Sequence, residues 1–366
     1  MKPEHAARSA ALSARSERLH LAEFWNVLRG GAVNQEPKPA CAPHIWRYNE
    51  VIPQLHEAAD LVPVEEAERR AVVFKNPALG GRIATTHTMY AAYSLYNPGE
   101  RAMVHRHTIN AGRIGLSGSG GYTTVQGVKC MLSRGDIVLT PNWCWHDHGT
   151  DGREANIWFD FLDQPLAVML GLRFFDVDHP GRTTTPGEVP IQTPDLVLSA
   201  ADNPYAAGTT PSAGRLSELL PAQRTVFFSY RDLRSTLASA AAHADPFDAV
   251  SLYLRDSISG GPVLSTMDVH ARLLPGGMQT QATRQSASAV FLVMEGSGKT
   301  EVGDTAIDWE ENDVFVVPNW TWFHHRNLSA TRDAVLYEIT DAPLGRSMDS
   351  WRREGRAADG SVRRLG

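Results

Sequence analysis

Residues 135–148 read GDIVLTPNWCWHDH, and residues 312–325 read NDVFVVPNWTWFHH. Both contain a Pro-Asn-Trp-x-Trp core, starting at Pro141 and at Pro318, 177 residues apart. The same spacing joins Pro98-Gly99 in NPGERAMVHRHT to Pro275-Gly276 in LPGGMQTQATRQ. Two landmarks sharing one offset mark the chain as two copies of one unit, and a repeat of that size decides the architecture. Around the first copy, short β-rich runs are broken by Gly, Asn and Asp: TTHTMYAAYSLY, GRIGLSGSGGYTTVQG and ANIWFDFL. Short strands at regular spacing, with turn signals between them, indicate a sandwich or a barrel.

The unit resembles the cupin barrel. Pro98-Gly99 followed by His105 and His107 has the form P-G-x5-H-x-H, and Gly135, Asp136, Pro141 and His146 have the form G-D-x4-P…H. The resemblance implies an all-β-dominated bicupin, two jelly-roll barrels with an N-terminal helical segment and a long connecting region. The organisation read from the chain is a helical and extended segment at 1–83, a metal-binding cupin at 84–170, a linker with a helix at 171–249, a metal-free cupin at 250–345 and a tail at 346–366.

Outside the barrels the texture is different. Residues 5–28 are rich in Ala, Arg, Glu and Leu without Pro or Gly. They predict one helix with Leu19, Leu21, Phe24, Trp25 and Leu28 as its buried stripe. Pro37, Pro39 and Pro43 mark an extended connector. Residues 65–70 suit a short helical turn, and 230–244 a helix. The Pro- and Thr-rich stretch 165–225 reads as an ordered linker without a functional reading of its own.

The 366 residues carry a net charge of -6 with 42% hydrophobic and 21% charged residues, which is ordinary globular composition. Without a basic face there is no footprint for nucleic acid. Three scattered cysteines, Cys41, Cys130 and Cys144, suit a reduced compartment better than a disulfide scaffold. With no apolar run of membrane-spanning length and no leader-like N-terminus, a cytoplasmic, soluble protein is expected.

His105 and His107 are separated by one residue, so on a strand both imidazoles point to the same face. His146, on the strand after PNWCW, supplies a third ligand, and neutral imidazole suits iron, zinc, copper and nickel. Carried across the 177-residue offset, these positions fall on Ala282, Arg284 and Phe323, so one metal per chain is expected. A rival second site would use Gln279, Gln281 and His324. The stretch Thr108–Arg113 holds no carboxylate, so a three-His site leaves coordination positions for a bidentate substrate and O2. Trp143 and Trp145 are expected to alternate on one strand and recur as Trp320 and Trp322, which argues for packing, and Cys144 between them reads as a buried, inert thiol.

HRHT at 105–108, GDIVLTPNWCWHDHG at 135–149, WFDFLDQPL at 158–166 and NPALGGRIATTHTMYAAYSLYNPGE at 76–100 resemble the gentisate 1,2-dioxygenase family, which includes salicylate and 1-hydroxy-2-naphthoate dioxygenases. The resemblance implies Fe(II), one per chain, on His105, His107 and His146. It implies that Arg113 holds the substrate carboxylate and that His148 meets the phenolic oxygen, titrating near neutrality. Arg69 is a further candidate active-site arginine, and Tyr90 a pocket aromatic. The implied reaction opens an ortho-hydroxybenzoate (salicylate, a substituted salicylate or gentisate) between C1 and C2 with O2, in a homo-oligomer, commonly a tetramer.

Two positions depart from the family pattern. Ser94 stands where a glutamine is usual, and Gly112 where a leucine is usual. Gly112 is expected to enlarge the pocket, and Asp160 is either a strand-end carboxylate or one that supports the site. A substituted salicylate or 1-hydroxy-2-naphthoate is then as suitable a substrate as gentisate. Two rival readings are a bicupin enzyme of another metal or reaction, separated by metal analysis and O2 uptake, and a non-catalytic cupin that binds an aromatic acid without consuming it.

Overall fold

The computed structural model describes residues 3–29, 35–67, 69–177, 196–198, 226–257 and 259–365. The linker reading for 178–195 and 199–225 lies outside the described residues. The chain divides into two compact units, Met1–Lys38 and Pro39–Gly366.

In the first unit the single helix expected over 5–28 is two, Pro3–Arg18 and Phe24–Arg29. The break falls where His20 takes a left-handed backbone (φ 55°). Glu23 then receives the hydroxyls of Ser13 (2.9 Å) and Ser16 (3.1 Å). Leu19, Leu21, Phe24, Trp25 and Leu28, expected to form a buried stripe, are exposed, because the break takes them out of helical register with one another.

The second unit holds the repeat. In the first copy a six-stranded sheet is joined by a four-stranded and a two-stranded sheet, and in the second copy by another six-stranded sheet. The first copy's large sheet runs Phe227–Phe228, Ile137–Thr140, Ala111–Ser117, Asn156–Leu162, Tyr90–Tyr96, Arg70–Val73. The second runs His44–Trp46, Val314–Val317, Ala289–Glu295, Ala334–Thr340, Asp268–Leu274, Val250–Tyr253. Both faces of the inner strands of these sheets are buried. Alternate residues such as Ala91, Tyr93, Leu95, Ile114 and Phe159 pack against Val269, Ala271, Val290, Leu292 and Tyr337 in one core between the barrels. The residues between them, including Ser94, Arg113, Trp158 and Asp160, face the inside of the first barrel.

The edge strands are exchanged between copies. His44–Trp46 precedes the first barrel in sequence but pairs with Val314–Val317 of the second, and Phe227–Phe228 precedes the second barrel but pairs with Ile137–Thr140 of the first. The carboxylate of the G-D motif receives each arm: Asp136 accepts from Tyr230 N (2.8 Å) and Asp313 from Tyr48 N (2.9 Å). Burial pushes the Asp136 carboxyl up to about 6. Covering an edge with the other copy's arm removes unpaired backbone from both sheets and ties the barrels together.

The pairing corrects the repeat offset. Strands Tyr90–Tyr96 and Ala111–Ser117 correspond to Asp268–Leu274 and Ala289–Glu295, a spacing of 178 rather than 177. Turn 97–100 closes with Glu100 N on Asn97 O, and turn 275–278 with Met278 N on Pro275 O. The left-handed glycines in them are Gly99 (φ 78°) and Gly277 (φ 74°). Pro98-Gly99 thus corresponds to Gly276-Gly277, and its match to Pro275-Gly276 is a coincidence of composition. The spacing is 177 from Gly121–Val125 and Gly298–Val302 to His146–Thr150 and Phe323–Asn327, after SGSG is shortened to EGS, and is 178 again at Asn156–Leu162 and Ala334–Thr340. A one-residue slip turns every side chain of a strand over. The bridge His105–His146 has Thr283–Phe323 as its counterpart, and His107 O and Gln285 O both receive the turn tryptophan's N–H. The positions equivalent to the histidines are therefore Thr283, Gln285 and Phe323, not Ala282, Arg284 and Phe323. Arg284 points outward to Glu354 (2.8 Å).

Candidate metal centre and substrate pocket

Four histidines from two facing segments meet inside the first barrel. His105 immediately precedes strand Arg106–His107 and His107 ends it, and His146 and His148 alternate on strand His146–Thr150. Ring centroids lie 4.3 Å apart for His105 and His146, 4.7 Å for His107 and His146, and 5.2 Å for His146 and His148. Ligand atoms of His105, His146 and His148 lie within 4.8 Å of one another. All four rings are buried.

The rings are locked in two ways. Nδ1 of His105 meets Met103 O, Nδ1 of His107 meets Ile109 O and Nδ1 of His146 meets Cys144 O, each at 2.8 Å. Each bond reaches a carbonyl two residues away, fixing the ring's orientation and reserving Nε2 for the interior. Nδ1 of His148 instead meets Thr123 Oγ1 at 3.1 Å. Nε2 of His146 and of His148 are buried without a hydrogen-bond partner. Neutral imidazoles held at Nδ1 by the backbone, with buried Nε2 atoms converging, form a donor set that fits a divalent transition cation. Burial first, and neighbouring histidines and Arg113 after it, hold His107 down at about 3 and His146 well below the usual range. His148 is likewise held down by burial and by Arg113, so it is a neutral imidazole rather than one titrating near neutrality.

The remaining site residues follow from strand parity. Asp160 pairs in register with Arg113 on one side and Ala92 on the other. Arg113 Nε lies 3.1 Å from Asp160 Oδ1, both side chains fully buried, and Ser94 Oγ donates to Asp160 Oδ2. Ser94, Asp160 and Arg113 are thus one buried group. Arg69 reaches Tyr90 Oη (3.3 Å). Gly112 does not enlarge the pocket. It alternates with Arg113 to the other face, where a Cβ would stand 2.1 Å from Phe161 Cζ, so Phe161 already fills the space that the glycine leaves.

A cavity of about 180 Å³ opens beside the histidines, lined by Arg69, His105, His107, Ile109, Leu162, Gln164, Arg173 and Phe175. Arg173 and Phe175 were not singled out from sequence. They lie just past the first barrel, where strand Phe175–Asp176 pairs with Arg106–His107 and lays Phe175 parallel to His105, 5.2 Å between centroids. Their two-residue spacing was the available signal. Asp176 holds Arg106 (2.7 Å), and Arg106 stacks on Trp143 and Trp145 at 4.3 and 4.5 Å. Those tryptophans sit in the turn before the ligand strand, with Trp143 at φ 64° and its counterpart Trp320 at φ 53°, rather than alternating on a strand. A larger cavity of about 410 Å³, lined by Glu50, Asp308, Glu310 and Glu311 among others, contains no histidine and is wrongly charged for an acid. The rival second metal set is not assembled: His324 lies on the outward face, 3.6 Å from Glu301.

The cupin domain family matches residues 92–162 and 269–340. Over 350 residues the chain is 34% identical to 5-aminosalicylate 1,2-dioxygenase of Comamonas sp., covering 94% of this chain and 89% of that one. The chain belongs to the bicupin family of aromatic ring-cleaving dioxygenases. Gentisate 1,2 dioxygenase 1 of Aquipseudomonas alcaligenes is 33% identical over 336 residues, covering 91% of this chain and 92% of the relative. The salicylate 1,2-dioxygenase of Pseudoaminobacter salicylatoxidans, solved with gentisate, superposes with a TM-score of 0.82 at 27% identity, covering 98% of this chain and 96% of that one. No described helix is long and apolar enough to cross a membrane.

Proposed function

We propose that this dioxygenase binds one Fe(II) on His105, His107 and His146 and opens a single-ring ortho-hydroxybenzoate between C1 and C2. The observation that carries the reading is the shared lock: these three imidazoles, and not His148, hold a backbone carbonyl two residues away through Nδ1. Bound there, iron(II) supplies the redox-active centre at which O2 and the chelating acid meet.

The protein's own groups then bind and orient. Arg113, fixed by Asp160 and Ser94, takes the substrate carboxylate in a charge-assisted pair. Arg69 and Arg173 make the approach cationic. His148, held by Thr123, places Nε2 against the phenolic oxygen. Phe175 stacks over the histidines and shields the site from water. A cavity of about 180 Å³ is small beside the ~300–1,000 Å³ of sites for drug-sized ligands, which favours one ring over the two of 1-hydroxy-2-naphthoate. The names of the Comamonas and Aquipseudomonas relatives point to the same substrate class.

The test is anaerobic reconstitution with Fe(II), followed by O2 uptake and product absorbance with gentisate, salicylate, 5-aminosalicylate and 1-hydroxy-2-naphthoate. Turnover of at least one single-ring acid is expected, faster than the naphthoate. Turnover of none rejects the reading.

A further inference from the structure

The second barrel reaches the metal site through one asparagine. Asn110 follows Ile109, whose carbonyl holds His107 Nδ1. Asn110 Oδ1 accepts from Asn142 N (3.0 Å), in the turn that leads to His146. Asn110 N and Nδ2 both donate to Asp163, at 2.9 Å each. The buried Asp163 carboxylate in turn accepts from the hydroxyl of Thr266, and Asn110 Nδ2 also approaches Thr266 Oγ1 (3.0 Å) and Ser265 Oγ (3.2 Å). Ser265 and Thr266 lead into strand Asp268–Leu274 of the second barrel's large sheet.

The repeat supplies an internal control. At the 178-residue spacing, Thr88 donates to Asp341 as Thr266 donates to Asp163. Asp341 accepts from Ser288 N (2.8 Å), and Ser288 Oγ accepts from Asn319 N (3.2 Å). The two latches are reciprocal, each carboxylate taking a threonine from the other barrel. They differ in the residue after the ligand strand. Ser288 holds Asn319 N and meets Cys41, whereas the longer amide of Asn110 reaches the hydroxyls of Ser265 and Thr266 in the opposite barrel.

We infer that Thr266, Asp163 and Asn110 form a positioning relay through which the second barrel sets the orientation of His107 and of the turn before His146. The inference rests on the ligand assignment proposed above. Buried amide and carboxylate groups with every partner in place have one low-energy arrangement, so removing one hydroxyl loosens the remainder. Partners that orient metal-binding histidines typically contribute 10–100-fold to metal affinity.

The test compares Thr266→Val, Thr266→Ser and Thr88→Val in the full-length protein, reading Fe(II) affinity anaerobically against a competing chelator and thermal midpoint in the apo state. Thr266→Val is expected to weaken Fe(II) binding by about 10-fold, Thr266→Ser to restore it, and Thr88→Val to leave it within about twofold despite a similar loss of thermal stability. Asn110→Ser, which copies Ser288, should weaken binding as Thr266→Val does. Wild-type affinity in Thr266→Val, or an equal loss in Thr88→Val, overturns the relay while leaving the iron site standing. Failure of the unaltered protein to bind Fe(II) overturns the ligand assignment and the relay with it.

Discussion

In the first barrel, positions 105, 107 and 146 carry imidazoles; the same three places in the second carry the hydroxyl of Thr283, the amide of Gln285 and the ring of Phe323. Around them the frames are alike. Thr123 and His148 have Thr300 and His325 as counterparts, the latter pair at 2.8 Å. Arg106 on Trp143 and Trp145 is matched by Arg284 on Trp320 and Trp322, at 4.3 and 4.8 Å. Phe291 stands where Arg113 stands, and Glu338 where Asp160 stands, now paired with Arg272 (2.7 Å) and approached by Gln285 (3.3 Å). The barrel therefore folds around either filling. What separates the copies is a handful of interior side chains, so activity resides in the site and not in the fold.

That difference can be broken most severely by making the first barrel like the second. His146→Phe installs the residue of position 323. Iron and turnover should both fall to background, with circular dichroism unchanged, because the second barrel already folds around this ring; the exchange removes an unpartnered buried Nε2 and a single hydrogen bond, Nδ1 to Cys144 O. Iron retained near one per chain would place the metal elsewhere.

Replacing charges tests which pairs serve chemistry and which serve stability. Arg272→Met leaves buried Glu338 without its guanidinium, with His270 at 3.6 Å as its remaining cationic neighbour, and removing one partner of a buried pair costs about 3–5 kcal/mol. Iron stoichiometry in the folded fraction should not change, as metal analysis after denaturant titration would reveal. Arg113→Met strands Asp160 in the same way but should also raise KM for the aromatic acid steeply. If Arg272→Met and Arg113→Met disturb substrate binding equally, the division of labour between the barrels is wrong.

The smallest effect concerns the pocket wall. Gly112→Ala forces a methyl against Phe161 in the core between the barrels, and overpacking of this kind costs about 1–3 kcal/mol. KM for each acid should stay near that of the unaltered enzyme, since the methyl faces away from the substrate. A changed preference among acids would show that the inter-barrel core reaches the pocket after all.

The repeat, the barrels and the histidine cluster were legible because alternation on a strand is a local rule: residues two apart share a face. The failures share a cause as well. Parity is unforgiving: the 177 spacing of the Pro-Asn-Trp motifs begins only after Ser117 and Glu295, so carrying it upstream, where the spacing is 178, moved two assigned equivalents to outward positions. Gly112 was misplaced by the same parity, being one residue from Arg113. The exchange of His44–Trp46 and Phe227–Phe228 between barrels depends on pairing across the whole chain, which no local pattern encodes. Arg173 and Phe175 were hidden in a short run at the head of a proline-rich stretch. His148 was picked out, but its neutral state follows from burial and from Arg113, neither of which periodicity displays.

The most direct test of the central claim is the iron content of the anaerobically reconstituted protein, measured side by side for the unaltered chain and for His105→Ala and His107→Ala. The three-histidine site predicts one iron per chain in the first and none in the other two. Two irons per chain, or iron retained after loss of either histidine, would contradict it.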